Sequence, residues 1–435
     1  MNLERYIARR VASNKGTQSF SRIIIRIAVV AVALSMTVMI VSTAVINGFK
    51  HQVEEKIFGF WGHIHLTHTS GYGTLGDSEP ISQSQSFYPS LDTIRQVYGE
   101  DTWRFLWWED ENKIVETKSK GGIDHIQVFA YKAGIFKTDE EIEGIILKGI
   151  DQRYKWDFFQ QYLEEGRVIE FSDSTASNDI LISRQTADRL KLKVDDLLEF
   201  YFGNNNDFLK RRFRISGIYK TGLEDYDKQF AIVDIQKIRE INKWDNDQVG
   251  GFEVFVENMQ DLNLLTEYIY MEELPSDMIA QNVRRSRQGI FEWLALQDIN
   301  EIVILVLMLL VSIINMVTAL MILILERTNM IGTLKALGQR DWSIRKIFLY
   351  YAAYIILVGL FWGNLIGIGL CYLQEKYGIV ELSEENYYLS VAPIEINYWT
   401  VLFLNIGTMV ITILFLVIPS YLVTRISPVK ALKFK

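Results

Sequence analysis

The fold is decided by the stretch IVILVLMLLVSIINMVTALMILIL at residues 302–325 and by ERTNMIGTLKALGQRDWSIRKIF at 326–348, which follows it. The first part is a predominantly apolar run without a charged residue. About 20 apolar residues in a helix suffice to cross the ~30 Å hydrocarbon core of a membrane. Three more runs of sufficient length lie at 23–46, 347–373 and 398–424. The sequence therefore predicts four transmembrane helices, which excludes a wholly soluble protein.

Charged residues predict the orientation of these helices, because Lys and Arg are enriched in cytoplasmic loops. Basic residues are concentrated before the first run, between the second and third runs and after the fourth, whereas the loop between the third and fourth runs is acidic. Both chain ends and the loop at 326–346 are thus predicted to be cytoplasmic. The predicted segments are a cytoplasmic interfacial helix at 1–22, span 1 at 23–47, an extracytoplasmic domain at 48–297, span 2 at 298–325, the cytoplasmic loop at 326–346, span 3 at 347–373, a short outer loop at 374–397, span 4 at 398–424 and a basic cytoplasmic tail at 425–435.

The predicted extracytoplasmic domain has a mixed α/β pattern. Its short β-branched and aromatic stretches predict strands, among them 180–183, 197–202, 213–219 and 252–256. Helical spacing of apolar residues occurs between them, at 184–190, 234–242 and 259–271. The segment 48–297 carries 29 basic and 43 acidic residues. This negative balance argues against a nucleic-acid partner.

Several kinds of catalytic or binding motif are absent from the sequence. It contains no G-x-x-x-x-G-K-[ST] loop for nucleotide phosphates, no H-E-x-x-H and no G-x-S-x-G. The single Cys371 excludes an internal disulfide. Four of the five histidines lie close together in the sequence: His51, His63, His65 and His68. A metal site would need further convergent ligands, so we interpret them as polar residues at the start of the outer domain.

The cytoplasmic loop has the pattern of a short amphipathic helix. Met330, Leu334 and Leu337 are spaced to form a narrow apolar stripe, and Gly338 occupies the place of a helix-ending glycine. Such a helix on a tight turn between two spans can insert into a groove of a soluble partner. The alternative is a helix that rests on the lipid surface.

This loop resembles the coupling segment of FtsX-like ABC permeases of the MacB superfamily. The resemblance lies in Glu326-Arg327 followed by Ile331-Gly-Thr-Leu-Lys-Ala-Leu-Gly338. The start of the chain, with Asn47-Gly48-Phe49 after the first run, is similar to the lipoprotein-releasing (LolC/LolE-type) branch. The tail, with Ile426-Ser-Pro-Val-Lys-Ala-Leu432, fits the same branch.

The resemblance implies a membrane protein with four transmembrane α-helices and a large α/β, periplasmic-core-like domain between spans 1 and 2. It implies a non-catalytic permease in the bacterial inner membrane that extracts lipoproteins for transfer to the outer membrane by mechanotransmission. The expected partners are two copies of a cytoplasmic ABC ATPase, which would bind ATP and Mg, and a second copy of this chain or a homologous permease. No cofactor is expected on this chain. The alternatives are an FtsX-like signal relay that controls an extracytoplasmic hydrolase and a MacB-like efflux permease.

Three groups of residues are the candidate sites under this interpretation. The ATPase-coupling residues are Glu326, Arg327, Met330, Ile331, Leu334, Lys335, Leu337 and Gly338. The predicted substrate cavity comprises Met36, Met39, Ile40, Val306, Met308 and Leu309. The chaperone-docking hairpin of the family corresponds to Phe202, Gly203, Asn204, Asn205, Asn206, Asp207, Phe208 and Leu209. This hairpin is short and polar at its tip, so the recruitment of a periplasmic chaperone stays open.

Overall fold

A computed structural model of the protein describes residues 19–71, 76–105, 108–137, 142–171, 176–204 and 207–426. Most of the predicted interfacial helix at 1–22 and nearly all of the predicted basic tail at 425–435 therefore lie outside the described residues. The chain forms two compact units. The helical unit takes the described parts of Met1–Gln52, Trp293–Glu381 and Val391–Lys435, and the α/β domain takes those of Val53–Glu292 and Leu382–Ser390.

Among the described residues, the α/β domain contains both helices and strands, and the elements of the helical unit are helices. The helices are α1 (Ser19–Trp61), α2 (Asp157–Gln161), α3 (Arg184–Leu190), α4 (Glu224–Gln229), α5 (Ile235–Asn242), α6 (Leu262–Tyr268), α7 (Val283–Ser286), α8 (Gln288–Glu326), α9 (Thr328–Ala336), α10 (Asp341–Tyr377), α11 (Glu384–Tyr387), α12 (Tyr398–Ser420) and α13 (Leu422–Arg425). The strands are β1 (Ile64–His68), β2 (Ile81–Ser82), β3 (Tyr98–Phe105), β4 (Trp108–Lys118), β5 (Ile123–Lys137), β6 (Ile142–Ile150), β7 (Leu163–Gly166), β8 (Asp179–Ser183), β9 (Leu197–Asn204), β10 (Asp207–Tyr219), β11 (Phe230–Asp234), β12 (Gln248–Val249), β13 (Gly251–Val256) and β14 (Met278–Asn282).

Four helices of the described chain are long and apolar enough to cross a membrane: α1, α8, α10 and the α12–α13 segment. Two of them extend well beyond their apolar runs. Helix α1 continues to Trp61 and α8 begins at Gln288, so their ends contribute to the α/β domain.

Helices α1 and α10 pack closely because α10 presents glycines to α1. A Cβ added to Gly363 would lie 2.7 Å from the Cβ of Met36, and one added to Gly359 would lie 2.7 Å from the Cβ of Val32. Small residues at such positions let two helix backbones approach each other. The close approach also brings the Thr37 hydroxyl within 3.1 Å of the Gly363 carbonyl, to which it donates.

Ten described strands of the α/β domain form one mixed sheet, in the order β14-β1-β13-β5-β6-β11-β8-β10-β7, with β9 pairing to both β10 and β5. The pairs β6–β11 and β8–β10 are parallel and the other pairs are antiparallel. Strands β3 and β4 form a separate two-stranded hairpin, as β2 and β12 form a separate pair.

The predicted secondary structure of this domain is confirmed where it was specific. The stretches predicted as strands at 180–183, 197–202, 213–219 and 252–256 all lie in strands, and the helix predicted at 184–190 is α3. Ser183 begins this helix with a side chain that accepts a hydrogen bond from the Thr186 amide. One face of the sheet contributes Val128, Leu147 and Val254 to the large apolar core, and alternation places Gln127, Lys148 and Glu253 on the other face.

Candidate coupling and transport sites

Helix α9 occupies the loop between the second and third membrane helices, where the coupling helix is predicted. It ends in a Schellman motif, because the Gly338 amide donates to the Lys335 carbonyl and the Gln339 amide donates to the Leu334 carbonyl, both at 3.0 Å. Gly338 has a φ of 84°, which a glycine adopts without strain. The glycine therefore sets the sharp turn that leads into α10.

The predicted apolar stripe of α9 is divided between two environments. Ile331 is fully buried, and Met330 and Leu334 are half-buried against the core of the helical unit. Leu337, by contrast, is 79% exposed. The exposed surface of α9 and its carboxyl end consists of Asn329, Thr333, Ala336, Leu337 and Gly338. Glu326 is exposed and Arg327 is half-buried before the helix begins.

Lys335 links α9 to α10 and to α13. Its Nζ lies 2.9 Å from the Asp341 carboxylate at the start of α10 and donates to the Thr424 carbonyl of α13 at 3.2 Å. The lysine side chain is only 10% exposed. A displacement of α9 is thereby linked by direct contacts to both α10 and the end of the fourth membrane helix.

Arg345 of α10 is a second linking residue, and it joins α10 to α12. Its Nε donates to the Ser420 hydroxyl at 3.0 Å, and its Nη2 donates to the Val417 carbonyl at 3.1 Å. The Tyr421 amide donates to the Ile418 carbonyl, and the Val417 carbonyl accepts from the Ser420 hydroxyl at 2.6 Å as well as from Arg345. The guanidinium also lies over the Tyr421 ring, 4.0 Å from its centroid. A cation at the carboxyl end of a helix is favoured by the helix dipole.

The predicted cavity residues fall into two groups in this structure. Met36, Met39 and Ile40 are buried in the core of the helical unit, and Met36 faces Gly363 of α10. Met308 and Leu309 on α8 are half-buried, whereas Val306 is 49% exposed. Val306 is therefore the residue of this set whose side chain is most accessible to a ligand. The cavity itself stays a prediction.

Polar side chains within the membrane helices make specific contacts. Asn364 of α10 and Asn405 of α12 form a reciprocal amide pair, with N–O distances of 2.7 and 2.9 Å. This pair joins α10 to α12 by hydrogen bonds between side chains. Asn315 donates to the Val311 carbonyl of its own helix.

The four histidines occupy different environments. His51 lies 3.3 Å from Glu395, and His68 contacts Ser70. The His63 Nδ1 accepts from the Val256 amide, and burial lowers the pKa of His63 to about 4. His65 is fully buried and contacts the Trp61 carbonyl at 2.5 Å. The described residues contain no group of three or more His, Cys, Asp or Glu that could hold a metal ion.

Comparison with known families accounts for this arrangement. The model of the MacB-like periplasmic core domain matches residues 27–269, more than half of the chain. The chain belongs to the MacB-like periplasmic core domain family. The model of the FtsX-like permease C-terminal region matches residues 302–428, which include α9, α10 and α12. The predicted fold class is confirmed, and the protein is a membrane protein with a periplasmic α/β domain.

Individual relatives of this MacB-like chain are similar to it over their full lengths. The lipoprotein-releasing system transmembrane protein LolC of Neisseria meningitidis serogroup B is 20% identical over 458 residues, which cover 100% of both chains. LolC of Haemophilus influenzae is 20% identical, covering 99% of this chain and 98% of the relative. LolE of Haemophilus influenzae is 18% identical, covering 99% of each. The resemblance inferred from the motifs is thus confirmed.

The hairpin that corresponds to the chaperone-docking element is formed by β9 and β10. Asn204 pairs with Asp207 and Gly203 with Phe208 in the strand register, while Asn205 and Asn206 lie outside the described residues. Phe202 is fully buried in the domain core, and Leu209 packs partly against it. Phe202 therefore supports the hairpin from inside the domain.

Two functional candidates were not predicted from the sequence. Arg345 is one, and the other is a buried pair in the periplasmic domain, Lys148 with Glu253. The signal for the pair is a single charge within each of two apolar strand patterns, IILKGI at 145–150 and GFEVFV at 251–256. A charge in such a strand indicates a buried partner but does not identify it.

Proposed function

We propose that this chain is the permease subunit of an ABC-type machine that extracts lipoproteins from the inner membrane for transfer to the outer membrane. The observation that carries the proposal is its similarity, over the entire chain, to transmembrane proteins of lipoprotein-releasing systems. The coupling helix between two membrane helices supports the same function.

The energy of the task explains why an ATPase is needed. Each buried CH₂ of an acyl chain contributes about 0.8 kcal/mol to membrane anchoring. Three acyl chains of ordinary length total on the order of 30 kcal/mol by the same rule. Spontaneous release of a triacylated protein would be negligible, and a separate ATPase that binds ATP and Mg supplies the work.

The ATPase partner binds the exposed surface of α9 in this proposal. Two ATPase copies serve two permeases, the second being another copy of this chain or a homologous permease. Closure of the ATPases displaces α9, and the contacts of Lys335 and Arg345 carry the displacement into α10 and α12. Residues Glu326 to Gly338 thus form the coupling site.

The acyl chains are proposed to enter beside α8. Its exposed apolar face includes Val303, Val306, Leu310 and Ile314. A lipoprotein that leaves this site would be received by a periplasmic chaperone. The proposed docking element for the chaperone is the β9–β10 hairpin, with Gly203 and Leu209 close to its turn.

Photocrosslinking tests the substrate. A photoreactive amino acid at Val306 should capture triacylated lipoprotein in the nucleotide-free complex, and ATP should reduce the adduct because closure expels the chains. The same group at Ile355 of α10 is the matched control, because Ile355 lies outside the predicted cavity and is buried in the core of the helical unit. Depletion of the protein should leave outer-membrane lipoproteins in the inner membrane.

Two outcomes would contradict lipoprotein extraction. Unchanged lipoprotein sorting after depletion, with no adduct at Val306, would exclude this substrate. An accompanying loss of cell-wall hydrolase activity would then favour the signal relay, and an increased sensitivity to exported small molecules would favour efflux.

A further inference from the structure

The carboxyl end of α1 is enclosed by aromatic residues of the α/β domain. Phe60 and Trp61 form its last turn, and both are fully buried. Phe60 stacks on Tyr226 with ring centroids 5.4 Å apart, and Trp61 meets the edges of Tyr226 and Phe230. We use the name helix-end socket for these aromatic residues together with three charged residues near them. Its members are Phe60, Trp61, Lys148, Tyr226, Phe230, Glu253 and Arg287.

A buried ion pair forms the polar part of the socket. Lys148 of β6 and Glu253 of β13 are both fully buried, with Nζ and Oε1 2.7 Å apart. The Lys148 Nζ also donates to the Phe60 carbonyl at 2.7 Å. Gln127 of β5 donates to the other oxygen of Glu253 at 2.9 Å. The sheet thus contacts the backbone of α1 directly through a charged side chain.

The terminal carbonyls of α1 are satisfied from outside the helix. The last four carbonyls of any helix lack partners within it. Here the Gly62 amide donates to the Phe58 carbonyl, Lys148 donates to the Phe60 carbonyl, and His65 contacts the Trp61 carbonyl. A cation at this end is also favoured by the helix dipole. The position of the helix end is therefore specified by side chains of the sheet.

A buried ion pair is by itself weak evidence for a contribution to stability. The free-energy cost of removing two charges from water roughly offsets their attraction. Apolar residues of similar size can therefore often replace a buried ion pair without loss of stability. Burial also lowers the pKa of Lys148, and Glu253 opposes that effect. Apolar residues could not, however, donate the hydrogen bond that Lys148 makes to the Phe60 carbonyl.

A residue that directly precedes the second membrane helix lies in the same socket. Arg287 immediately precedes α8, and its guanidinium lies 3.9 Å from the centroid of the Trp61 indole ring. The stacking of a guanidinium on an indole is a favourable cation–π contact. The ends of α1 and α8 are thereby held against each other within the α/β domain.

We infer that the Lys148–Glu253 pair fixes the end of α1 to the sheet, so that a displacement of this helix end carries the sheet with it. Lys148 and Glu253 are positioning residues in this inference. The inference rests on the proposed function only for the purpose of the movement, which is the release of lipoproteins.

The test uses a double variant that removes both charges. Lys148→Met alone leaves a buried unpaired carboxylate and is expected to fold poorly. Lys148→Met with Glu253→Gln is neutral and keeps the bond from Gln127, so it is expected to fold. The matched control is Lys132→Met with Asp77→Asn, an ion pair of the same domain with a 3.0 Å separation that lies away from α1.

The first readout is the distance between two nitroxide labels in the full complex with its ATPase in nanodiscs. The labels replace the exposed residues Glu55 on α1 and Lys193 after α3, in a Cys371→Ser background. We expect one narrow distance distribution for the parent and the control, with and without ATP and vanadate. The double variant should give a broadened distribution that shifts with nucleotide. A distribution that stays narrow in the double variant overturns the inference.

The second readout is the number of lipoproteins released per ATP hydrolysed. It should fall severalfold in the double variant, because the Lys148–Phe60 hydrogen bond would no longer hold the helix end to the sheet. ATP hydrolysis itself should continue, because the ATPase surface is unchanged. Failure of even the parent complex to release lipoprotein would refute the proposed function, whereas the label distances would still decide the role of the ion pair.

Discussion

At the scale of single residues, Asp227 is a buried carboxylate that organises one turn of the α/β domain. Its Oδ1 accepts from the Thr221 hydroxyl at 2.6 Å, and its Oδ2 accepts from the Thr221 and Gly222 amides at 3.1 Å. Burial raises the pKa of Asp227 from 3.8 to about 6, although these hydrogen bonds oppose the rise. The folded protein therefore binds a proton at this site more strongly than the unfolded chain does.

This pKa predicts a specific dependence of stability on pH. The contribution of a raised carboxyl pKa is fully present below about pH 4 and is lost as the pH rises through about 6. The loss is on the order of 3 kcal/mol. Asp227→Asn should therefore raise the thermal unfolding midpoint at pH 7.5 relative to the parent, and the difference should shrink towards pH 4.5. Tryptophan fluorescence in detergent measures both midpoints.

The control for Asp227 is its neighbour Asp225, which is exposed on the same helix. Asp225→Asn should leave the difference between the unfolding midpoints at the two pH values as it is in the parent. A difference between Asp227→Asn and the parent that is the same at both pH values would contradict the assignment of the titration to Asp227.

At the scale of elements, the proposed coupling role of α9 predicts which of its residues an ATPase partner would contact. Leu337→Asp places a charge at the most exposed apolar position of the coupling segment, where an ATPase groove would desolvate it. We expect the ATPase to bind at least about tenfold more weakly, since burial of a leucine contributes roughly 1.5–3 kcal/mol. Co-purification in mild detergent measures this binding.

Two variants control the α9 experiment. Leu337→Met keeps the apolar surface and should retain the ATPase. Leu334→Asp would instead place a charge against the helical core, so its effect would mix misfolding with lost binding. If Leu337→Asp co-purifies with the ATPase at the parent level, α9 is not the docking element.

At the scale of the whole molecule, the charge pattern predicts the topology. In a Cys371→Ser background, Lys193→Cys should react with a membrane-impermeant thiol reagent in intact spheroplasts. Arg340→Cys, in the loop after α9, should react only after lysis. Both positions are exposed in the structure, so lack of access to the reagent would reflect the membrane. The reverse pattern would invert the predicted orientation.

The membrane helices could be predicted from the sequence because length and apolar composition suffice to identify them. The end of α9 could be predicted because a glycine directly after a helical pattern commonly adopts the positive φ that ends a helix, as Gly338 does. The contrast between Leu334 and Leu337 could not be predicted, since spacing alone does not say which apolar residue faces the protein and which faces a partner. The burial of Met36 was hidden for a similar reason, because α1 is apolar around its circumference.

Partners distant in the sequence were beyond prediction for another reason. Lys148 and Glu253 become neighbours only through the order of β13, β5 and β6 in the sheet. Arg345 meets Val417 only because the beginning of α10 lies beside the end of α12. Local patterns carry no information on such pairings.

The two-part composition of the α/β domain has a consequence for synthesis. The segment Leu382–Ser390 belongs to this domain, where Glu384 pairs with Lys220 at 2.6 Å and the Tyr388 carbonyl accepts from Lys56 at 2.8 Å. Ribosomes add about 5–20 residues per second, so this segment emerges roughly 5–20 seconds after Glu292 by that rate. During that interval Lys56 and Lys220 await these partners, and the nascent domain completes its folding only after the third membrane helix has been inserted.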